Sequence, residues 1–176
     1  MEDLVIRAAS LDDAADVSAI YAPYVENTAA TFEAEDAPPG EAEIRARIAA
    51  VRKAYPWIVA VREGAVVGFA YAHAYRERAA YAHCAEVSIY VDGERRGCGV
   101  GRALYGELER QLAAQGVYNL YACVATTQRA NDPNLTDASP RFHERLGYTA
   151  VGTMHRCGFK FGRYYDITWM EKILER

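Results

Sequence analysis

Apolar residues along the chain follow two different periods, and each period predicts its own type of element. Strand-like runs occupy residues 4–8, 57–62, 66–75, 85–91, 118–125, 150–161 and 164–171. Apolar residues recur every three or four positions over 11–24, 44–55 and 104–112, as they do on one face of a helix. A further short helix is predicted over 138–145, because Gly147 suits a helix C-terminus. The order β-α-α-β-β-β-α-β-α-β-β predicts a mixed α/β fold.

Local signals mark where several of these elements begin and end. Ser10, with Asp13 three residues later, resembles a capping box that opens the first helix. The sequence Pro38-Pro39-Gly40 interrupts the chain before the second helix, and Glu63-Gly64-Ala65 predicts the turn of a hairpin. No internal repeat or linker divides the chain, so residues 1–176 are predicted to form a single domain.

The composition is typical of a soluble globular protein and argues against several function classes. Apolar residues make up 51% and charged residues 25% of the 176 residues, and the formal net charge is −4. A net negative chain offers no general attraction to nucleic acid. The apolar runs are too short to span a bilayer or to form the core of a signal peptide, so no membrane contact is expected. The four cysteines contain no Cys-x-x-Cys pair, which predicts a reducing, cytoplasmic location rather than a zinc site.

The segment 87–102 carries the strongest functional signal. A predicted strand runs into a turn with four glycines, and this turn opens the next helix. Glycines allow positive φ and let a ligand approach the backbone, and the N–H groups at a helix N-terminus attract anions. Arg95, Arg96 and Arg102 add positive charge at the same place. The glycine spacing fits neither a Gly-x-Gly-x-x-Gly dinucleotide motif nor a Walker loop, and an exposed turn without a ligand stays the alternative.

The spacing Arg96-x-x-Gly99-x-Gly101 resembles the pyrophosphate loop of the GCN5-related N-acetyltransferases (GNAT). Further segments resemble the branch that acetylates phosphinothricin and methionine sulfone, and they follow the same order along the chain. These segments are residues 20–32, 55–57, 68–71, 86–91, 131–133, 142–148 and 164–169. The resemblance implies an α/β GNAT fold, in which a mixed, mostly antiparallel central sheet is splayed between strands 4 and 5, with helices on both faces.

The resemblance also implies that acetyl-CoA is the co-substrate and that no metal takes part. In the family, a bulge separates the fourth strand from the fifth, and the pantetheine arm pairs with the backbone of the fourth strand, here at Ile89, Tyr90 and Val91. The segment expected to bind the pyrophosphate consists of Arg96, Gly97, Cys98, Gly99, Val100, Gly101 and Arg102. Asn131 is expected to contact the cofactor as well. The loop after Asn131 is longer here than in the family, so Asn134 stays an alternative.

Acetyl transfer to an amine requires a general base, because a protonated amine has no lone pair to attack a thioester. Glu86 begins the fourth strand, where the related enzymes place a catalytic glutamate; the alternative is an ordinary surface glutamate. His143 is a second catalytic candidate, because the related enzymes carry histidine at this position. A lone histidine in a helix is more often structural, and Tyr148 nearby is expected to pack.

The acceptor implied by the resemblance is a small-molecule amine. Arg76 and Arg78 fall in a loop where the branch carries two basic residues that face the acceptor, and guanidinium forks suit carboxylate or phosphinate groups. The alternative for these two arginines is a solvated basic loop. The other residues that map onto acceptor-lining positions are Phe32, Tyr81, Ser88 and Tyr90.

The resemblance also bears on the oligomeric state, and two alternative functions stay open. The related enzymes are homodimers, which implies a homodimer here, and the 13 tyrosines of this chain suit an interface. One rival is a protein or peptide N-acetyltransferase of the same fold. The other is a non-catalytic acyl-CoA sensor, against which the glutamate at position 86 argues.

Overall fold

The computed structural model describes residues 4–34, 37–95 and 97–175. In these residues, four α-helices flank a sheet of seven strands. The strands are β1 (Val5–Ala8), β2 (Trp57–Arg62), β3 (Ala65–Ala74), β4 (Cys84–Val91), β5 (Asn119–Thr126), β6 (Thr149–Lys160) and β7 (Arg163–Ile173). The helices are α1 (Ala14–Asn27), α2 (Glu41–Val51), α3 (Val100–Ala114) and α4 (Ala138–Arg145). The predicted order of strands and helices is confirmed.

The predicted end of the second helix is wrong. α2 ends at Val51, whereas the apolar pattern continues to Tyr55. A hydrogen-bonded turn follows α2, in which the N–H of Tyr55 donates to the carbonyl of Val51 at 2.9 Å. Pro56 comes next, and a residue before proline disfavours the helical conformation. Tyr55 nevertheless packs against the core, so its place in the apolar pattern reflects burial rather than helix.

Each face of the sheet carries its own core, because successive strand residues point to opposite faces. Along β2, Ile58 belongs to the core beneath α3, whereas Val59 belongs to the core beneath α1 and α2. The same alternation along β4 directs Ala85 and Val87 toward α3. It leaves Glu86, Ser88 and Tyr90 on the face that α1 and α2 cover. We refer to this face of the sheet as the α1 face.

The sheet is splayed between its two middle strands. Its order is β1-β2-β3-β4-β5-β7-β6, with β4 parallel to β5 and the other neighbouring pairs antiparallel. β4 pairs with β5 from Cys84 to Glu86, and the described ladder does not continue over residues 87–91. The predicted splay is therefore confirmed.

The bulge expected in β4 is not found in its ladder with β3. The register there runs without a shift from Gly68↔Val91 to Ala74↔Ala85. β5 meanwhile stays paired with β7 over its whole length, from Asn119↔Ile173 to Thr126↔Asp166. The two middle strands therefore separate because β4 stays paired with β3 while β5 stays paired with β7.

Neither a membrane-spanning helix nor a metal-binding cluster is found in the part of the chain that the structure describes. No helix there combines the length and the apolarity needed to cross a bilayer. No group of three or more His, Cys, Asp or Glu side chains in the same residues is arranged to hold a metal ion.

Candidate active site

β4 directs part of its backbone into the gap that opens beside β5. In an antiparallel ladder, residues alternate between those that bond the partner strand and those that point away from it. The N–H of Asp92 donates to the carbonyl of Val67 at 3.0 Å, on the β3 side. By this alternation, Tyr90 is also bonded toward β3, whereas Ile89 and Val91 direct their N–H and C=O groups into the gap. Two of the three predicted backbone contacts therefore have the orientation that a ligand in the gap requires.

A tyrosine from α1 stands at the open end of this gap. The hydroxyl of Tyr24 donates to the carbonyl of Val91 at 2.6 Å and accepts from the N–H of Val91 at 3.3 Å. A ligand that pairs with the backbone of Val91 therefore has to displace this hydroxyl. The sequence pattern places Tyr24 on the apolar face of a helix, and it carries no separate signal for the role of the hydroxyl.

The glycine-rich turn has the backbone conformation expected of an anion site. Gly97 and Gly99 have φ values of 79° and 81°, in the left-handed region that favours glycine. α3 begins directly after Gly99, so the first N–H groups of the helix and the positive end of its dipole face the turn. Cys98 and Arg102 are exposed beside it. Arg96 lies outside the described residues.

Two other members of this segment serve packing. A Cβ on Gly101 would lie 2.8 Å from Cε2 of Phe142 on α4. Val100 is buried in the core beneath α3. The glycine at position 101 therefore allows α3 to approach α4, and its presence is not by itself evidence of a ligand.

Glu86 lies where the pairing of β4 with β5 ends, and its side chain is 21% exposed. Burial raises the pKa of the Glu86 carboxyl, while the neighbouring His73 and Arg76 lower it. Nε2 of His73 is 3.8 Å from Oε1 of Glu86, across the β3–β4 ladder. A half-buried carboxyl of raised pKa, with an imidazole and a guanidinium as neighbours, is suited to accept a proton and release it again.

Two of the predicted acceptor residues lie close to Glu86. Ser88 is the next residue on the α1 face of β4, opposite Tyr71 of β3. Burial raises the pKa of the Tyr71 hydroxyl, and a hydrogen bond with Ser88 lowers it. Arg76 is exposed and lies over the ring of Tyr75, with 4.3 Å between Cζ and the ring centroid. The structure thus brings Ser88 and Arg76 to the proposed base.

The other predicted acceptor residues lie farther out. Arg78 and Tyr81 are both exposed in the loop that joins β3 to β4, and Tyr81 packs edge-on against Tyr75 with ring centroids 6.1 Å apart. Phe32 lies in the connection after α1, where its ring centroid is 6.4 Å from that of Tyr165 on β7. Phe32 therefore lies against the β6–β7 hairpin.

His143 is enclosed by the protein, and both of its ring nitrogens have partners. Nδ1 lies 2.8 Å from the carbonyl of Ser139, and Nε2 lies 3.0 Å from the hydroxyl of Tyr105. Burial lowers the pKa of His143, while the bond to Ser139 raises it. A neutral ring that donates from Nδ1 and accepts at Nε2 satisfies both contacts. These contacts give His143 a structural role beside the buried Tyr148, and its catalytic role stays a prediction.

The long loop after β5 is tied to the C-terminal end of α1. The side-chain amide of Asn134 donates to the carbonyl of Asn27 at 3.3 Å, and its backbone carbonyl accepts from the N–H of Ala29 at 2.9 Å. Asn131 is exposed and has a φ of 57°. Because Asn134 is engaged with α1, Asn131 is the better candidate for a cofactor contact.

Comparison with known proteins relates this geometry to a family. A family model described as an acetyltransferase (GNAT) domain matches residues 6–169. The chain is similar to a phosphinothricin N-acetyltransferase of Streptomyces viridochromogenes, at 34% identity over 97% of this chain and 87% of the relative. It is also similar to an L-methionine sulfoximine/L-methionine sulfone acetyltransferase of Pseudomonas paraeruginosa, at 34% identity over 97% of this chain and 94% of the relative.

A solved structure shares the fold as well. The crystal structure of a GNAT superfamily phosphinothricin acetyltransferase from Sinorhizobium meliloti, in complex with acetyl-CoA, has a TM-score of 0.86 and 37% identity. The match covers 97% of this chain and 88% of that one. The expected fold class and acetyl-CoA as the co-substrate of the family are confirmed. The family model and the relatives matched over nearly the whole sequence show that this chain belongs to the GNAT acetyltransferase family.

Proposed function

We propose that this chain is a single-domain, cytoplasmic enzyme that transfers the acetyl group of acetyl-CoA to the amine of a small amino acid or amino-acid analogue. The proposed acceptors are of the kinds named for its relatives: phosphinothricin, methionine sulfoximine and methionine sulfone. The observation that carries the proposal is the position of Glu86, a half-buried carboxyl of raised pKa at the point where β4 leaves β5. A proton acceptor thus stands at the closed end of the gap.

Two parts of the chain fit acetyl-CoA, which would supply an activated thioester. The gap-facing backbone of Ile89, and of Val91 once the Tyr24 hydroxyl moves aside, offers N–H and C=O groups to the pantetheine amides. The turn before α3 offers N–H groups to the pyrophosphate, and its left-handed glycines support that fit. Arg96 and Arg102 are proposed to add positive charge there.

Glu86 is proposed to act as the general base. An alkyl amine is mostly protonated at neutral pH, so Glu86 accepts a proton from the nitrogen and leaves its lone pair available for attack. The raised pKa makes the Glu86 carboxylate a stronger base than an exposed glutamate. His73 is 3.8 Å away with its side chain 43% exposed, so it connects the carboxyl to solvent.

The acceptor is proposed to bind on the α1 face beside Glu86. Arg76 and Arg78 offer two guanidinium forks, which suit a carboxylate and a second oxygen-rich group. With both groups held, the amine is directed toward Glu86 and the gap. The remaining walls are proposed to be Phe32, Tyr81 and Ser88.

We further propose that two copies associate through the exposed edge of the sheet. β6 is the last strand in the sheet order, and most of its residues are exposed. Large apolar side chains on the β6–β7 hairpin are more than half exposed, namely Val151 (53%), Met154 (51%), Phe159 (62%) and Tyr164 (54%). Exposed apolar side chains along an edge strand suit contact with another chain better than contact with water.

A thiol-release assay tests the proposed reaction. The purified protein is given acetyl-CoA with phosphinothricin, methionine sulfoximine, methionine sulfone, the common amino acids, or peptides with free N-termini. We expect rapid release of the CoA thiol with small acceptors and slow release with peptides. Turnover of peptides with none of the small acceptors would contradict the proposal. Binding of CoA without turnover of any amine would favour a sensor.

Analytical ultracentrifugation tests the proposed association. We expect the wild-type protein to sediment as a dimer and Met154→Glu to sediment as a monomer, because the charge falls within the apolar edge. Leu11→Glu is the matched control, since Leu11 is also an exposed apolar residue but lies outside the β6–β7 hairpin. A monomeric wild-type protein would contradict the proposed dimer and leave the proposed reaction untouched.

A further inference from the structure

The end of β6 is buried beneath the segment that follows α1. All twelve residues of β6 are described; Gly158 and Lys160 are buried and the other ten are exposed. Both buried residues contact the chain between the last turn of α1 and Phe32. We call residues 25–32 the exit segment.

Lys160 holds the exit segment by its carbonyl groups. Its ammonium donates to the carbonyls of Val25, Thr28 and Thr31 at 2.6, 2.9 and 2.9 Å. The last carbonyls of a helix have no partner within the helix, and a cation at that end interacts favourably with the helix dipole. A buried cation in turn needs such partners, because burying an unpaired charge is costly. Lys160 therefore fixes the end of α1 and the chain after it to β6.

Phe32 rests on the backbone of Gly158. A Cβ at position 158 would lie 2.7 Å from Cε2 of Phe32, and closer still to Cζ and Cε1. Any side chain larger than hydrogen at this position would push the ring away from the sheet. Gly158 therefore determines how deeply Phe32 sits.

The exit segment also contacts the face that carries Glu86. The hydroxyl of Thr31 lies 2.8 Å from the hydroxyl of Tyr21 in a buried hydrogen bond. Burial raises the pKa of the Tyr90 hydroxyl, and a hydrogen bond with Thr31 lowers it. Tyr90 stands on the same face of β4 as Ser88 and Glu86. The position of Thr31 and Phe32 is thus coupled to the floor of the proposed acceptor pocket.

We propose that Gly158 and Lys160 are positioning residues for the acceptor, which fix Phe32 as one wall of the pocket where the amine meets Glu86. This inference rests on the acetyltransferase function proposed above. Both residues act through the exit segment rather than by contact with the acceptor. Substitutions at position 158 therefore change the use of the acceptor more than the use of acetyl-CoA.

A double-mutant cycle with a matched control tests this role. Gly158→Ala, Phe32→Ala, their combination and the control Gly106→Ala are compared by kcat and KM for both substrates. Gly106 lies within α3, outside the proposed dimer edge, and an added Cβ there meets nothing within 4 Å. We expect Gly158→Ala to lower kcat/KM for the acceptor by roughly ten- to a hundred-fold, because displaced positioning groups have effects of this size. The KM of Gly158→Ala for acetyl-CoA and all kinetic constants of the Gly106→Ala control are expected to stay at wild-type values.

The coupling is read from the double mutant. If Gly158 acts through Phe32, then Gly158→Ala adds no further loss once Phe32 is alanine. Additive losses, or equal acceptor kinetics in Gly158→Ala and Gly106→Ala, would overturn the inference. If Gly158→Ala does not fold, Lys160→Met takes its place in the cycle, with CoA binding by calorimetry as the measure of folded protein. A wild-type enzyme that acetylates no amine would instead overturn the proposed function itself.

Discussion

The two ends of β4 differ in the neighbours that they keep. From Cys84 to Glu86 the strand is paired on both sides, with β3 and with β5. Over residues 87–91 the strand stays paired with β3, but its described ladder with β5 has ended. The closed end carries a carboxyl where the strand is paired on both sides, while the open end directs backbone groups into a gap. A proposed base and a proposed binding edge thus share one strand, and at about 3.3 Å per residue roughly 17 Å of it separates Glu86 from Val91.

The two ends also differ in charge. At the closed end, burial raises the pKa of Glu86 and of Tyr71, which favours the uncharged forms of both groups. At the open end, an exposed arginine and the N-terminus of α3 favour an anion. The contrast predicts that variants at the closed end change the chemical step or the acceptor, whereas variants at the open end change acetyl-CoA binding.

The largest effect is expected from Glu86→Gln at the closed end. The amide keeps the shape of the side chain but cannot accept the proton, so kcat should fall by about a hundred- to ten-thousand-fold. CoA affinity measured by calorimetry should stay unchanged, and the deficit should shrink as the amine deprotonates at higher pH. Glu144→Gln, at an exposed position of α4, is the control. Near-normal turnover of Glu86→Gln at neutral pH would assign the base elsewhere, and His143 would be tested next.

The next largest effect is expected from Arg76 and Arg78, the two arginines in the loop that joins β3 to β4. Arg76 acts on Glu86 electrostatically, whereas Arg78 is the exposed residue that begins the 3₁₀ turn Ala79–Tyr81. A hydrogen bond to a charged group contributes about 1.5–3 kcal/mol. Arg76→Met should therefore lower acceptor kcat/KM by roughly ten- to a hundred-fold, with an unchanged KM for acetyl-CoA. Comparison of Arg76→Met with Arg78→Met under identical conditions shows whether one or both forks hold the acceptor, and no loss in either variant would refute the site.

The order of elements could be predicted from the sequence because periodicity reports burial directly. β4 illustrates this: a strand was predicted over 85–91, and its alternation places Ala85 and Val87 in the core beneath α3 and Glu86 and Ser88 on the opposite face. The left-handed turn before α3 was likewise predicted from its glycines. Tyr55 is the exception, because this apolar residue is packed against the core outside the helix that its spacing suggests.

Contacts between distant segments could not be predicted in the same way. Tyr24 meets Val91 across 67 residues, and Lys160 meets Val25 across 135. A local pattern shows that such a side chain is apolar or charged, but it does not show which backbone group that side chain satisfies. The local pattern likewise does not show that a Cβ at position 101 would meet the ring of Phe142, and the pyrophosphate contact of Gly101 stays a prediction.

A smaller effect is expected at the open end from Gly99→Ala. Gly99 has a φ of 81°, and a Cβ in the left-handed region costs about 1–2 kcal/mol. If the strain shifts the turn, the KM for acetyl-CoA should rise by roughly five- to thirty-fold, since 1.4 kcal/mol corresponds to a factor of ten. Acceptor KM should stay the same. Gly106→Ala, within α3 and with nothing near its added Cβ, is the control, and equal acetyl-CoA kinetics in the two variants would refute the anion site.

The smallest effect is a shift of the pH profile at the closed end, and its direction follows from the charges around Glu86. Only the ionised carboxylate accepts a proton, so acceptor kcat/KM falls as the pH drops through the pKa of Glu86, which burial raises above the ordinary glutamate range. His73 lowers that pKa, so His73→Asn should raise it and move the acid limb to higher pH.

His73→Lys places a permanent positive charge there and should move the acid limb of the profile to lower pH. Both profiles should meet the wild-type profile at high pH, where Glu86 is ionised in every variant. His83→Asn, at an exposed histidine bonded to the carbonyl of Gly116, is the control for the loss of a histidine from the same chain. If the acid limb stayed in place in both His73 variants, the 3.8 Å approach of His73 to Glu86 would carry no electrostatic coupling, and the acid limb would belong to another group.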